Sequence, residues 1–568
     1  MKKFNIHSIL IGSLITISGL ISAQVSQGEP TGEAGESFHL VTDRSHYISG
    51  EVLQFRAFPV TLNNQKVMDW SKVLYVELIT SDGNAIAQMK VPLEKGGGEG
   101  TMVIPTSIAS GTYYLKAYTR WMRNCGPEFF TYTSVLIIDP FSDEVLPVDT
   151  LESSELRGHS DLSASAHSPA GLLEVDLQKK VYDIREPVMM DLTWNDPQHN
   201  ANLCISVAKK GVQGKQTSYW RNCTIGKGEE SKYIPEIQGL SLSGQAISNP
   251  GNEPAAYATI YLSVLGENPN FYCNYSDSSG RFYFSFPSYT GERDLFVSTN
   301  HPEYENLELL IDRDFSGEAK RLPSYPVAFS DSTMELITEL SVNAQVARQY
   351  YPLRLPQDDE TIPSDERSFY GHPSATIMFE DFIKLPRLEE YFVEVIPQVS
   401  VRKNRGVRSF QVLGAHPDLA IYQPLVMVDG VAIFDVEAVL AVSPRLIERV
   451  EIINAPYIRG NVTFGGIIHI ISVNNDLGYI DLPASGLLVN YQMLDNQLPG
   501  SGITLTNDQR QPDVRNTLFW VPNVDIEPGG TLGLTFNTAD VKGDYQVMLR
   551  GYDSSGRYIS KRIPFTVQ

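Results

Sequence analysis

The chain has 568 residues, of which 42% are hydrophobic and 20% charged, and a formal net charge of −22. That acidity excludes nonspecific nucleic-acid binding, which needs a basic footprint, and favours solubility. The length allows roughly three to five domains.

Lys2 and Lys3 precede a mostly apolar stretch from Ile9 to Ile21, and Ile21-Ser22-Ala23 stands before Gln24. This order predicts a Sec-type signal peptide over residues 1–23, removed on export. No Cys near that site offers a lipid attachment point. No later apolar run is long enough to span a bilayer as a helix, so no transmembrane segment is expected after cleavage. Cys125, Cys204, Cys223 and Cys273 form an even set for an oxidising compartment, without the tight CxxC pairs of a zinc site. Cys204 and Cys223 lie in one short segment and are the candidate disulfide; four buried thiols are the competing reading.

Residues 34–142 read as an all-β domain, with strand-like runs at 53–58, 73–79 and 113–118 punctuated by Asp82-Gly83 and Gly96-Gly97-Gly98. Apolar residues occupy both sides of 73–79, as in a well-buried strand. Thr42-Asp43-Arg44, Tyr47, Gly50-Glu51 and Val52 resemble the TDR-x-x-Y-x-x-G-E-x-V opening of macroglobulin-like β-sandwiches, with the Val one place early. Residues 143–170, rich in Ser, Asp and Pro, read as a linker. Tyr182 and Glu186 then repeat the spacing of Tyr47 and Glu51, opening a second sandwich over 171–235. That segment is too short for a sandwich of about 100 residues. Strand-like runs in 479–568, chiefly 510–568, are expected to complete it, making everything between an insertion.

Within the insertion, residues 236–318 carry a "G-x-[AV]" strand at Gly244-Gln245-Ala246 and a D-x-x-G-x-F hairpin at Asp277, Gly280 and Phe282. They resemble the carboxypeptidase regulatory-like domain, a small β-sandwich. Residues 319–374 read as a helix over 331–350 followed by an acidic linker. Asp331 is the expected N-cap, and Met334, Ile337, Ala344 and Ala347 the apolar face.

The unit at 375–478 is expected to begin with strands at 393–396 and 399–401. A strand ending in Val428-Asp429-Gly430 follows, then a short helix through 444–448, a strand at 449–453, a Gly-containing loop and a strand at 466–471. The order resembles the plug domain of TonB-dependent outer-membrane receptors, where "VDG", "IE-x-[IV]-E" and "GG-x-I-x-I" elements recur. In that family a barrel of about 22 strands surrounds the plug. Only 95 residues follow 473, against roughly 10 per strand. No TonB box is recognisable between Gln24 and Ser37. The whole chain resembles exported Bacteroidetes proteins that combine macroglobulin-like, regulatory-like and plug domains without the barrel. The fold class expected is therefore mainly β and multidomain, with sandwiches and one α+β unit.

No HExxH, P-loop or G-x-S-x-G elbow is present, and the ten histidines lack paired ligand spacing, so no catalytic residue, cofactor or metal site is expected. Cys125-Gly126-Pro127-Glu128 comes nearest to the Cys-Gly-Glu-Gln thioester of macroglobulins and lacks its glutamine. His469, inside an apolar strand, reads as a packed or hydrogen-bonded core residue. Two segments are candidate partner-binding sites: the basic cluster Arg402, Lys403, Arg405 and Arg408, and the apolar loop bearing Tyr457, Ile458, Arg459 and Phe464. Each has a plainer reading, as a solvated hairpin tip and as packing on the chain's own sheet. The function expected is non-enzymatic: a periplasmic or outer-membrane-associated scaffold docking onto an outer-membrane β-barrel or a transport or assembly complex. The alternative is a cell-surface adhesion protein that recognises host or polymer ligands.

Overall fold

In the computed structural model the strand Val73–Ile79 is buried along its whole length, which is why its sequence lacks alternation. The structure describes residues 35–568 except 61–69, 96, 149–170, 215, 225–230, 267–268, 288, 302–305, 327–330, 352–367, 405, 484 and 496–509. The signal-peptide expectation, the search for a TonB box up to residue 34, most of the linker and Arg405 lie outside the described residues.

The first sandwich is a continuous run of pairings from Phe38–Thr42 through Val52–Pro59, Gly97–Val103, Ala85–Glu94, Val73–Ile79 and Gly111–Tyr118 to Thr131–Ile138. Ala85–Glu94 bonds to one neighbour along most of its length and to another at its end, so the sheet folds over its own core. Two short strands from beyond 171 also join this domain. Ser218–Tyr219 pairs with Thr131–Ile138, and Cys223–Thr224 with Gly35–Glu36.

The second sandwich draws on both ends of the insertion. Ala201–Lys209 is flanked by Thr517–Ile526 and Gly543–Asp553, while Pro187–Trp194 pairs with Thr531–Asn537. Trp194, Leu203, Val547 and Phe565 share its core. The spacing common to the two sandwiches has a physical basis. Glu51 accepts the backbone N–H of Ile48 at 2.7 Å, and Glu186 accepts that of Asp183 at 2.7 Å. Each glutamate closes the turn that its strand leaves.

The small sandwich stacks Arg281–Ser285, Ser241–Ser248 and Leu307–Ile311 against a sheet ordered Asn270–Tyr275, Thr259–Val264, Glu292–Asn300 and Leu487–Gln492. Its edge strand Leu487–Gln492 therefore comes from the C-terminal segment, which feeds two sandwiches rather than one. The small sandwich and the first share a core that includes Tyr75, Leu242 and Tyr491. Lys90 is buried at this seam because its ammonium meets Asp314 at 2.6 Å and the carbonyl of Gln492 at 2.5 Å.

Helix α1, Asp331–Tyr350, wedges between the first and second sandwiches. Ile337, Leu340 and Ala344 pack with Ile48, Ile138 and Val212. Met334, expected on that face, is exposed instead.

The expected Cys204–Cys223 disulfide is not the one formed. Cys223 bonds Cys125, with Cα atoms 5.8 Å apart. The two cysteines close in sequence belong to different domains. Cys223 follows the chain back to the first sandwich, whereas Cys204 stays in the second, packed against Phe58, Trp220 and Trp520. Burial pushes the Cys204 thiol up to about 11 and that of Cys273 up to about 12.

Candidate docking surface

The α+β unit is built on a five-stranded sheet ordered Ala375–Met378, Ile447–Ile453, Ile467–Ser472, Leu425–Val428 and Val431–Ala432. Leu425–Val428 runs parallel to Ile467–Ser472, and Ile447–Ile453 runs antiparallel to it. Strand alternation divides these apolar runs between two faces. Val426, Val428, Ile468 and Ile470 face a core closed by α2 (Leu388–Glu394), α3 (Val436–Ala441) and the hairpin Val399–Asn404/Val407–Val412. Leu425, Met427 and Ile467 face Phe271 and Cys273 of the small sandwich. Both faces are covered by the chain itself.

Two local expectations change here. Val393 and Glu394 close a helix rather than opening a strand, because Leu388, Tyr391 and Phe392 are buried at helical spacing. The helix after Gly430 comes earlier, at α3, where Asp435 caps the N–H groups of Glu437 and Ala438; only a single 3₁₀ turn covers Pro444–Leu446.

Asp429 has a positive φ of 45°, followed by Gly430 at 82°, and the turn is held from several sides. The Asp429 carboxylate accepts the Ser472 backbone N–H at 2.7 Å, the Ser472 hydroxyl at 2.6 Å and the Leu477 N–H at 2.8 Å. The Gly430 N–H donates to Nε2 of His469 at 2.9 Å. Nδ1 of His469 therefore carries the proton and donates to the Tyr370 oxygen at 2.7 Å; Tyr370 in turn donates to Glu451 at 2.5 Å. Burial lowers the His469 pKa to about 4. Burial also opposes the charge on Glu451, but hydrogen bonds from Tyr370 and Arg449 hold its pKa below the usual range. Both imidazole nitrogens are used within the chain. Among the described residues no group of His, Cys, Asp or Glu is arranged to hold a metal ion.

The loop hairpin Tyr457–Arg459/Val462–Phe464 turns inward. Arg459 donates to the Phe271 carbonyl at 2.7 Å and to Asn270 Oδ1 at 2.8 Å, and stacks over Tyr272. Phe464 is buried against the small sandwich, and Tyr457 is half-buried beside Phe369. Ile458 alone of the four faces solvent. The candidate site at this loop thus reduces to one side chain, since the apolar residues that marked it have found partners within the chain.

The basic cluster also divides. Arg408 bonds Glu389 of α2 at 2.9 Å and Glu437 of α3 at 3.0 Å, so it braces the unit internally. Arg402 and Lys403 are exposed on the hairpin. The same stretch of chain exposes several large apolar side chains. The six most exposed large hydrophobic side chains among the described residues are Ile383, Val393, Val407, Ile421, Ile458 and Tyr479, at 68–86% exposure. All lie between 383 and 479. Sequence reading missed five of these six. Val393 carried a signal, because it falls off the 388, 391, 392 stripe of α2.

No family model matches the chain, and no curated protein matches it. Among solved structures, α2-macroglobulin from Salmonella reacted with methylamine is 10% identical with a TM-score of 0.22, covering 94% of this chain and 40% of its own. Escherichia coli α2-macroglobulin activated by porcine elastase is 8% identical, TM-score 0.24, covering 94% and 44%. The adhesin InvE of Yersinia pseudotuberculosis is 12% identical, TM-score 0.12, covering 48% and 57%. The chain spans less than half the length of the macroglobulins it matches. Likeness at this level carries no argument about activity. The chain itself is a multidomain, mainly β protein. No helix among the described residues is long and apolar enough to cross a membrane.

Proposed function

We propose that this is a non-enzymatic, exported scaffold protein, periplasmic or associated with the outer membrane, whose α+β unit docks onto an outer-membrane β-barrel or a transport or assembly complex. The observation that carries the reading is the concentration of exposed apolar side chains between 383 and 479, the stretch that also carries the exposed Arg402 and Lys403. Large exposed apolar side chains that adjoin one another mark interaction surfaces. The plug-like order of elements over 421–473 supports a barrel or barrel-bound complex as the partner. The disulfide between Cys125 and Cys223 suits an oxidising compartment.

The test is co-purification in mild detergent followed by mass spectrometry, comparing the wild type with an Ile383→Asp/Val407→Asp double variant. A membrane-complex partner is expected with the wild type and is reduced about tenfold or more by the variant, as expected for lost anchor residues. Recovery of the protein alone from intact membranes contradicts the proposal.

A further inference from the structure

The hairpin Val399–Asn404/Val407–Val412 is a two-stranded sheet of its own, and among the described residues no other strand pairs with either edge. It is nonetheless firmly seated. Val399, Phe410 and Val412 are buried in the core that α2 and α3 close, and Arg408 is tied to a glutamate of each helix.

The register fixes which backbone groups face outward. The Leu413 N–H donates to the Gln398 carbonyl at 2.7 Å, so 398 and 413 form a hydrogen-bonded pair. Antiparallel ladders alternate such pairs with pairs whose N–H and C=O groups point away from the partner strand. Val399 with Val412, Val401 with Phe410 and Lys403 with Arg408 are of this second kind. The Val399 N–H is taken by the Ile396 carbonyl. Those of Val401 and Lys403 meet no backbone acceptor outside the hairpin among the described residues. Val401 is half-buried and Lys403 exposed, so this edge opens to solvent toward the hairpin tip.

The side chains follow the same alternation. Val399, Phe410 and Val412 fill the inner face, which leaves Arg402 and Val407 on the outer one. Arg402 lies opposite Ser409, so Val407 is its diagonal neighbour, and both side chains are exposed. Basic residues on an edge discourage pairing with neutral or basic strands. The same charges favour a strand that bears carboxylates, and in a chain of net charge −22 they mark a place where such a strand is attracted.

We propose that the edge from Val401 to Lys403 takes up an extended acidic segment of the docking partner as a third strand, with main-chain bonds to 401 and 403 and a carboxylate on Arg402. This rests on the docking reading above and names its mode.

A fluorescein-labelled (Thr-Glu)4 peptide, titrated against the full chain and read by anisotropy, tests it. Saturable binding is expected, with a dissociation constant on the order of 0.1–1 mM that rises with salt. Hydrogen exchange should slow at the Val401 and Lys403 amides when the peptide binds. Lys403→Pro removes one outward donor and no bond of the hairpin ladder, and is expected to weaken binding about tenfold or more with circular dichroism unchanged. Should that variant fail to fold, Arg402→Glu, which keeps every backbone donor, is expected to weaken binding as well. A (Pro-Glu)4 peptide carries the same charge without the donors that would face the edge, and (Thr-Lys)4 reverses the charge; neither should bind. Equal binding by either control, no slowing at 401 and 403, or binding untouched by the folded variants overturns strand addition. Since the peptides need no native partner, their failure leaves the docking reading standing, whereas recovery of the protein alone from membranes overturns that reading.

Discussion

Glu236 shows how single residues set conditions for the assembly. It is wholly buried where the first and small sandwiches meet, and one carboxylate oxygen accepts from Tyr75, from the Ser241 N–H and from the Ser241 hydroxyl. Burial pushes its pKa up to about 7 from an ordinary value of 4.5. The folded state therefore holds a proton that the unfolded state releases, and the associated stability is present below pH 4.5 and lost as pH rises through 7. His469 has the opposite sign. Its pKa falls from 6.5 to about 4, so its contribution is present above pH 6.5 and lost as pH falls through 4. Glu236→Gln is expected to remove the alkaline loss, a gain on the order of 1–3 kcal/mol at pH 8 over wild type, read by urea unfolding at pH 5 and pH 8. An unchanged pH dependence contradicts the burial argument. Cys223→Ser is expected to cost about 2–5 kcal/mol, and non-reducing peptide mapping of the wild type should yield a 125–223 link. Recovery of a 204–223 peptide instead contradicts the pairing seen here. Pairing was not legible in the sequence because separation along the chain says nothing about which sandwich a strand rejoins.

At the scale of elements, the sequence displayed whatever one strand or turn decides locally. The Tyr47–Glu51 and Tyr182–Glu186 spacings report a turn that each glutamate closes by itself, and the apolar run at 467–472 reports a strand covered on both faces. Elements whose state depends on packing were misread. Val393 has strand-like neighbours but lies on the outer side of a short helix, and the apolar loop at 457–464 is apolar because it seats on the chain's own small sandwich. The basic hairpin mixes both kinds of residue. Reversing Arg402 and Lys403 together is expected to leave the melting temperature nearly unchanged and to weaken partner capture. Arg408→Glu places a third carboxylate beside Glu389 and Glu437 and is expected to cost about 1–3 kcal/mol. Equal destabilisation by both changes contradicts the division between tip and brace.

Across the whole molecule, the chain runs through its domains rather than finishing one before the next. Ala201–Lys209 takes both neighbours from residues beyond 516, and the small sandwich takes an edge strand from 487–492. A chain ending at residue 509 should leave the core around Trp194 and Leu203 uncovered, losing near-ultraviolet circular dichroism and binding a hydrophobic dye; native spectra from that chain contradict the shared core. Interleaving of this kind places the α+β unit at the far end of an insertion, with its sheet covered by its own chain and its outer surface rich in Val393, Val407 and Ile383. That surface is the centre of the proposed function, and site-specific photo-crosslinking in intact cells tests it most directly. A photoreactive residue at 407 is expected to capture a discrete outer-membrane protein, while one at the exposed Tyr257 of the small sandwich captures none. Equal labelling from both positions, or none from 407, contradicts the account.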